Sequence, residues 1–352
     1  MCKLKNIRIE RFRGIKTLEM RDFKRVNVLL GNNNSCKSSA LEGIMILMGA
    51  SKPTLPLEMN INRNYNGVSK EDFLLFFHDL QNDVPITLSA GFYEGGTRSL
   101  DIDYFESVAK STPIADADKG NVDFLKADYG LRYCYVDDRT TSNSSRVTVE
   151  TGKGEMSVDF SEKSPNPMRK TAAFVAPRYN FRDFIKHFNQ IVTDKEKDLV
   201  LDVLRNVEPQ IRDVTVVGDK VMVDTGLRKL VPINVLGDGI RKMFTLMTAM
   251  YSVKEGILVI DEVDNGLYHK SMSTLWTALL KSASQLDVQL FISTHSLDSL
   301  NALNSVLDET CKDMREDVNI YTLRRGGEGD IVVLGYDYEK FSYLLSREVE
   351  IR

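Results

Sequence analysis

The stretch Gly31-Asn32-Asn33-Asn34-Ser35-Cys36-Lys37-Ser38-Ser39 carries the residue types that hold a polyphosphate. An apolar β run, Val26 to Leu30, precedes it, and a helical pattern, Ala40 to Leu47, follows. Strand, tight loop and helix are the setting a phosphate-binding loop requires. Backbone N–H groups of the loop wrap the anion, and the helix N-terminus adds donors and a favourable dipole. In that reading Lys37 reaches the β and γ phosphates, and Ser38 offers its hydroxyl to magnesium. The pattern G-x-x-x-x-G-K-S/T wants glycine where this chain has Cys36, so a Cβ there threatens to crowd the backbone or the phosphates. A thiol beside Lys37 at a helix N-terminus should also have a depressed pKa. The bland alternative is an Asn/Ser-rich turn that caps a helix.

Three further groups fit the same chemistry. Gly256-Ile257-Leu258-Val259-Ile260 is an apolar run that ends in Asp261 and Glu262. The first acid can hold a magnesium shell and the second can orient and polarise a water. Isolated apolar-D-E strings are common, but here a phosphate loop lies upstream in the same chain. Leu290 to Ile292 likewise delivers Ser293-Thr294-His295-Ser296, which makes His295 a candidate γ-phosphate sensor against the alternative of a satisfied core or cap histidine. Gly237, Asp238, Gly239 and Arg241 open a long helical pattern, where the helix N-terminus and a forked cation both suit an anion.

Those groups must be positioned by an α/β scaffold. Residues Leu4 to Phe12 alternate as a half-exposed strand, Arg13-Gly14 turns the chain, and Ile15 to Leu18 continues as a second strand. The segment 53–70, rich in Asn, Pro and Gly, reads as irregular. Val84 to Ala90 reads as a strand, and Gln81 before it is the nearest candidate for a Q-loop residue. Short alternating pieces, Leu131 to Val136, Arg146 to Glu150 and Met156 to Phe160, suggest an antiparallel lobe, with Thr140 to Ser145 as a polar mobile turn. Ala172 to Val175 returns to the body. Helical spacing covers Phe181 to Asn189, Lys195 to Arg205, Met243 to Val253 and Met272 to Ala283. Gly218-Asp219 joins a hairpin. Buried strands separated by a crossover helix argue for a parallel core. The expected divisions are 1–92 with the phosphate loop, 93–169 as a divergent insertion or lobe extension, and 170–352 with the remaining groups.

The 352 residues can bury a sizeable core. A formal net charge of -4 gives no global pull towards nucleic acid. Four cysteines, Cys2, Cys36, Cys134 and Cys311, lack framework or metal-site spacing, so a reducing cytoplasm is expected. No signal-peptide pattern and no apolar span of membrane length is read.

With these motifs in order, the chain resembles the ABC-type ATPase heads of the SMC, RecF and OLD group. More narrowly it resembles the compact, stand-alone OLD-like "AAA family" ATPases of bacterial anti-phage defence systems. Gly31 to Ser38 matches their Walker A motif, Ile257 to Glu262 their Walker B motif, and Leu236 to Arg241 their signature segment. Asp264-Asn265-Gly266-Leu267 matches the D-loop, although family members usually have histidine next, where this chain has Tyr268-His269. Ser293 to Ser296 matches the histidine switch. The opening Ile7 to Gly14 resembles the first hairpin, which implies that Arg13 faces the nucleotide. Ser346 to Arg352 resembles the C-termini of stand-alone members. The resemblance covers about residues 3–92 and 170–352. It implies a P-loop ABC-type head without the long coiled coil of chromosome-organising members and without an OLD-type nuclease domain.

The resemblance also implies ATP and Mg2+ as cofactors and a homodimer or higher homo-oligomer with composite sites. One subunit would supply Asn33, Asn34, Lys37, Ser38, Asp261, Glu262 and His295, and its neighbour Gly237, Gly239 and Arg241. ATP would hold the heads together and hydrolysis would release them. The expected output is an ATP-gated sensor or regulator of a separate effector. One alternative is a RecF-like repair ATPase that grips DNA through Lys3, Lys5, Arg8, Arg11, Arg13, Arg21, Lys24 and Arg25. Another is a nucleotide-binding scaffold whose hydrolysis is weakened by Cys36.

Overall fold

The computed structural model describes residues 3–65, 67–108, 127–138, 141–150, 155–160, 172–177 and 181–347. The chain opens with an antiparallel pair, β1 (Leu4–Phe12) and β2 (Ile15–Met20), and then β3 (Val26–Leu30) delivers the phosphate loop to α1 (Lys37–Met48). A helix follows where the composition suggested irregular chain, α2 (Leu55–Asn62), and α3 (Lys70–Leu74) begins at the end of that segment. Proline in the first turn of α2 is compatible with helix, because its missing N–H would find no intrahelical partner there. A full capping box at Ser69 and Asp72 starts α3.

Next come β4 (Ile86–Phe92), β5 (Thr97–Val108), β6 (Ala127–Asp137), β7 (Thr141–Glu150) and β8 (Glu155–Phe160). All five join β1 and β2 in one seven-stranded sheet of order β2-β1-β4-β5-β6-β7-β8. The middle of the chain therefore prolongs the N-terminal sheet, with β5 paired to β4 from Ile86↔Ile102 to Gly91↔Thr97. The turn expected at Thr140 to Ser145 is instead strand from Thr141, paired with β6 along its whole length. Ladder pairing overrides the low strand preference of Ser and Asn there. Thr140 and residues 348–352 of the tail lie outside the described residues.

The second half begins with β9 (Ala172–Val175), α4 (Phe181–Thr193) and α5 (Lys197–Val207). A small three-stranded sheet follows, β10 (Asp213–Val217), β11 (Lys220–Asp224) and β12 (Val231–Pro232). Then come α6 (Asp238–Ser252), β13 (Ile257–Ile260), α7 (Met272–Gln285), β14 (Gln289–Ser293), α8 (Leu297–Ser305), β15 (Val318–Arg325), β16 (Ile331–Tyr336) and α9 (Tyr338–Ser346). Among the described residues the longest helix is α6, with 15 residues, far short of a coiled-coil arm.

The second sheet has order β16-β15-β3-β14-β13-β9. Its strands are parallel except β16, which pairs antiparallel with β15. Every residue of β3, β13 and β14 is buried, as strands covered on both faces require. One face sends Val28, Leu258, Ile260, Leu290 and Ile292 into a core with α4 to α8. The other sends Leu29, Val259, Phe291 and Tyr321 into a core shared with α1 and the antiparallel sheet. This is the two-sheet α/β head expected from the sequence. Its five parallel strands bring all their carboxyl ends to one edge, the place where open α/β sheets bind ligands.

Candidate nucleotide site

At that edge a cavity of about 560 Å³ opens over the phosphate loop. Asn33 through Ser39 line it with Arg13, Asp261, Glu262, Ser293 and His295. Lys37, Ser38, Asp261, Glu262, His295 and Arg13, quoted from separate parts of the chain, thus meet in one cavity. Gly31 and Asn32 form the root of the loop. Gly31 has φ 144°, and a Cβ there would lie 2.5 Å from the Leu323 carbonyl oxygen, so only glycine fits.

Lys37 Nζ donates to the carbonyls of Gly31 at 2.6 Å and Asn32 at 3.0 Å. Burial pushes its pKa down, opposed by Asp261 and Glu262. Cys36 caps α1 with φ 67° and ψ 20°, the left-handed conformation for which the motif normally uses glycine. Its Sγ lies 3.4 Å from the Gly14 carbonyl oxygen and 3.5 Å from Arg325 Nη2. Gly14 leaves that space, since a Cβ there would stand 2.9 Å from both Sγ and Arg325. The extra bulk therefore packs against the β1–β2 turn. The depressed thiol pKa expected from Lys37 and the helix dipole is not found: burial raises it, and Arg325 only partly opposes the rise.

Ser293 joins the two acids. Its hydroxyl donates to Asp261 Oδ1 at 2.5 Å, and its Oγ accepts the Glu262 N–H at 2.8 Å. Asp261 is 5% exposed. Ser38 and Asp261 are hard oxygen donors of the kind that suit Mg2+. Glu262 itself takes φ 51°. Thr294 donates to Asp264 Oδ1 at 2.5 Å, and Ser296 rather than His295 caps α8 by accepting from the Ser299 N–H. His295 is exposed at the cavity.

Arg13 is not a surface cation. Its Nε stands 2.7 Å from Glu42 Oε2, and its guanidinium lies over the Phe76 ring at 5.1 Å. Glu42, buried in α1, also holds Arg63 at 2.6 Å. Arg63 and Arg325 also line the cavity, and no sequence motif includes them. Arg325 donates to the Asn34 carbonyl at 2.8 Å from the carboxyl end of β15. The strand-end logic used for Asp261 and His295 applies to Arg324-Arg325 as well and would have found it. Gln81 is exposed and not among the cavity residues, although Asp79 and Leu80 beside it are.

Gly237, Gly239 and Arg241 lie outside this cavity. Gly237, with φ 98°, precedes α6, and Arg241 pairs with Asp238 at 3.0 Å. A Cβ on Gly239 would come 3.4 Å from Leu267 Cδ2, so the segment packs on the loop that follows the acids. Lys242, next along α6, is buried and donates to the Glu262 carbonyl at 3.3 Å. Burial pushes its pKa down to about 8, opposed by Asp264, Glu262 and Asp261.

Of the eight cations considered for DNA, Lys3, Arg8, Arg13, Arg21 and Arg25 are paired with acids. Among the described residues no helix is long and apolar enough to cross a membrane.

An ATP/GTP phosphatase of Helicobacter pylori is 22% identical over 371 residues, covering 98% of each chain. An uncharacterized protein of Methanocaldococcus jannaschii is 29% identical over 128 residues, 36% of this chain and 44% of its own length. Among solved structures, an Smc head bound to the C-terminal winged-helix domain of ScpA aligns with TM-score 0.49 and 11% identity, covering 96% of this chain and 98% of that one. The SMC head domain of Thermotoga maritima aligns with TM-score 0.43 and 12% identity, covering 95% and 99%. The family described as "AAA domain, putative AbiEii toxin, Type IV TA system" matches residues 26–301, from the first residue of β3 to beyond His295, and the chain belongs to that family.

Proposed function

We propose that the chain binds ATP with Mg2+ and hydrolyses it to ADP and phosphate in a site completed by a second copy. The observation that carries this reading is the meeting of Lys37, Ser38, Asp261, Glu262 and His295 in one cavity at the strand ends, with Gly237, Gly239 and Arg241 outside it. Lys37 leaves the Gly31 and Asn32 carbonyls to bind the β and γ phosphates, while the loop amides, with Asn33 and Asn34, surround them. Ser38 and Asp261 hold the metal, which neutralises phosphate charge when bound. Glu262 accepts a proton from the attacking water, the bond from the γ phosphorus to the ADP oxygen breaks, and His295 contacts the γ phosphate. Arg13, Arg63 and Arg325 add positive charge around the triphosphate. The signature residues of the neighbouring copy close the site, so nucleotide holds two heads together and hydrolysis parts them.

The output of that cycle is the state presented to a separate effector, as a regulator in a defence system. Membership of a family described with a toxin system supports this role. The pairing of five of the eight candidate cations with acids weakens the DNA-gripping alternative.

The test is Glu262→Gln, which keeps the side chain's shape and removes the base. In ATP and Mg2+ it should accumulate as a nucleotide-bound dimer or larger assembly by light scattering, with hydrolysis lost. A variant that still hydrolyses ATP at the parent's rate rules out the assigned role.

A further inference from the structure

Lys242 is 4% exposed, and no role assigned above uses it. A buried ammonium costs several kcal/mol unless its surroundings compensate, and an apolar residue of similar volume would avoid that cost. Its surroundings are specific. Nζ donates to the Glu262 carbonyl at 3.3 Å, and Asp264, Glu262 and Asp261 are the charges that act on it.

Positions 238, 239 and 242 share one face of α6, being three and four residues apart. A Cβ on Gly266 would lie 3.7 Å from Asp238 Cβ, and one on Gly239 would lie 3.4 Å from Leu267 Cδ2. The first turn of α6 therefore rests on loop 264–267, and Lys242 extends the same face to the acid before it. Glu262 is held on both sides of its Cα. Ser293 Oγ takes its N–H at 2.8 Å and Lys242 its carbonyl, while φ stays at 51°. A shift of α6 pulls directly on the peptide that aims the Glu262 carboxylate.

We propose that Lys242 is a positioning residue that couples α6 to Glu262, so that a second copy docking on Gly237, Gly239 and Arg241 of one chain aligns the water-orienting acid of that same chain. The inference rests on the hydrolytic reading above. In a two-copy assembly each α6 touches the partner's nucleotide and its own Glu262, so occupancy of one site tunes chemistry at the other.

The experiment uses the full chain with Lys242→Met and Lys242→Gln, and reads steady-state ATP turnover, nucleotide affinity by fluorescence, and ATP-dependent assembly. Misplacing a catalytic group by about 1 Å costs up to about 100-fold, so the methionine variant should lose about 10- to 100-fold in kcat. Its nucleotide affinity and assembly should stay within about twofold of the parent, because transition-state alignment is lost rather than ground-state binding. Glutamine can still donate to the carbonyl and should recover part of the rate. The parent's rate should rise sigmoidally with ATP, and that curvature should flatten in the methionine variant. A folded variant with kcat within about twofold of the parent, or a loss wholly in KM, overturns the proposal. Failure of both variants to fold assigns Lys242 to stability alone and overturns it as well. A parent chain that binds ATP without hydrolysing it defeats the underlying reading instead, and is seen before any variant is compared.

Discussion

Replacing Cys36 by alanine should leave the chain about 1 kcal/mol less stable than replacing it by glycine. The magnitude comes from the backbone. Cys36 sits at φ 67° and ψ 20°, where a Cβ costs about 1–2 kcal/mol against the following carbonyl. Glycine removes that cost but gives back about 0.5–1 kcal/mol through the greater freedom of its unfolded chain. Both variants lose the same Sγ contacts with Gly14 and Arg325, so those contacts cancel in the comparison. The parent should fall near the glycine form, because a thiol packed against Arg325 offsets part of the strain. Urea unfolding without nucleotide, followed by tryptophan fluorescence of the buried Trp276, measures the difference, and the slope of the transition shows whether the unfolded states match. An alanine variant as stable as the glycine variant would mean that residue 36 is not held left-handed, and the strain argument would fail. Nucleotide affinity gives a second measure. If Cys36 lowers ATP binding or turnover, the glycine form should bind tighter or turn over faster. No gain would leave Cys36 as a tolerated replacement.

Two more outcomes follow from the same geometry. Ser293→Ala removes the donor to Asp261 and the acceptor of the Glu262 N–H inside a buried site, and should cost about 1–3 kcal/mol in unfolding experiments; a variant as stable as the parent would show that water replaces the hydroxyl. Burial raises the Cys36 pKa, so the thiol is protonated at neutral pH and its alkylation by iodoacetamide should begin only above the range of an unfolded control, with bound ATP slowing it further. Labelling that sets in below the control would reverse the sign.

The motifs that could be recognised were those whose members are contiguous. Lys37, Ser38, Asp261, Glu262 and His295 each follow a short apolar strand, so local pattern marked them and a parallel sheet brought them together. Arg63 and Lys242 carry no such mark, and Arg325, although it ends the apolar strand β15, belongs to none of the recognised motifs. Arg325 meets Asn34 across 291 positions of sequence, and Arg63 reaches the cavity through Glu42, a residue that reads as an ordinary helix acid until its burial is known. Lys242 follows Arg241 with no pattern of its own, and only its burial sets it apart. Two local errors had physical causes. Pro56 adds to the Asn-, Pro- and Gly-rich composition of 53–70, yet it occupies the first turn of α2, where proline is tolerated. The polar start of β7 reads as a turn in sequence, because pairing with β6 supplies the order that Thr141 to Ser145 do not specify themselves. The thiol pKa departs from its sequence expectation for a related reason. The charges near Cys36 were legible, but its burial was not, and burial sets the sign.

Backbone strain marks the same cavity independently of any motif. Among the described residues, 13 that are not glycine have positive φ. Six of them, Arg13, Asn34, Cys36, Asp79, Leu80 and Glu262, belong to the 20 residues that line this cavity, far more than an even spread over the chain would place there. Such conformations cost of order 1–3 kcal/mol each and persist where surrounding contacts over-determine them. The contacts are present. Arg13 N–H donates to the Phe76 carbonyl at 2.8 Å, His78 Nδ1 is 2.9 Å from the Arg13 carbonyl oxygen, and Leu80 N–H donates to the Phe77 carbonyl at 3.2 Å. Arg325 holds Asn34, and Ser293 with Lys242 holds Glu262. The packing of two sheets thus maintains a strained rim around one concave site. That rim fixes the backbone at Asn34, Arg13 and Glu262 before any ligand arrives, which is the form that pre-organisation takes in a concave site.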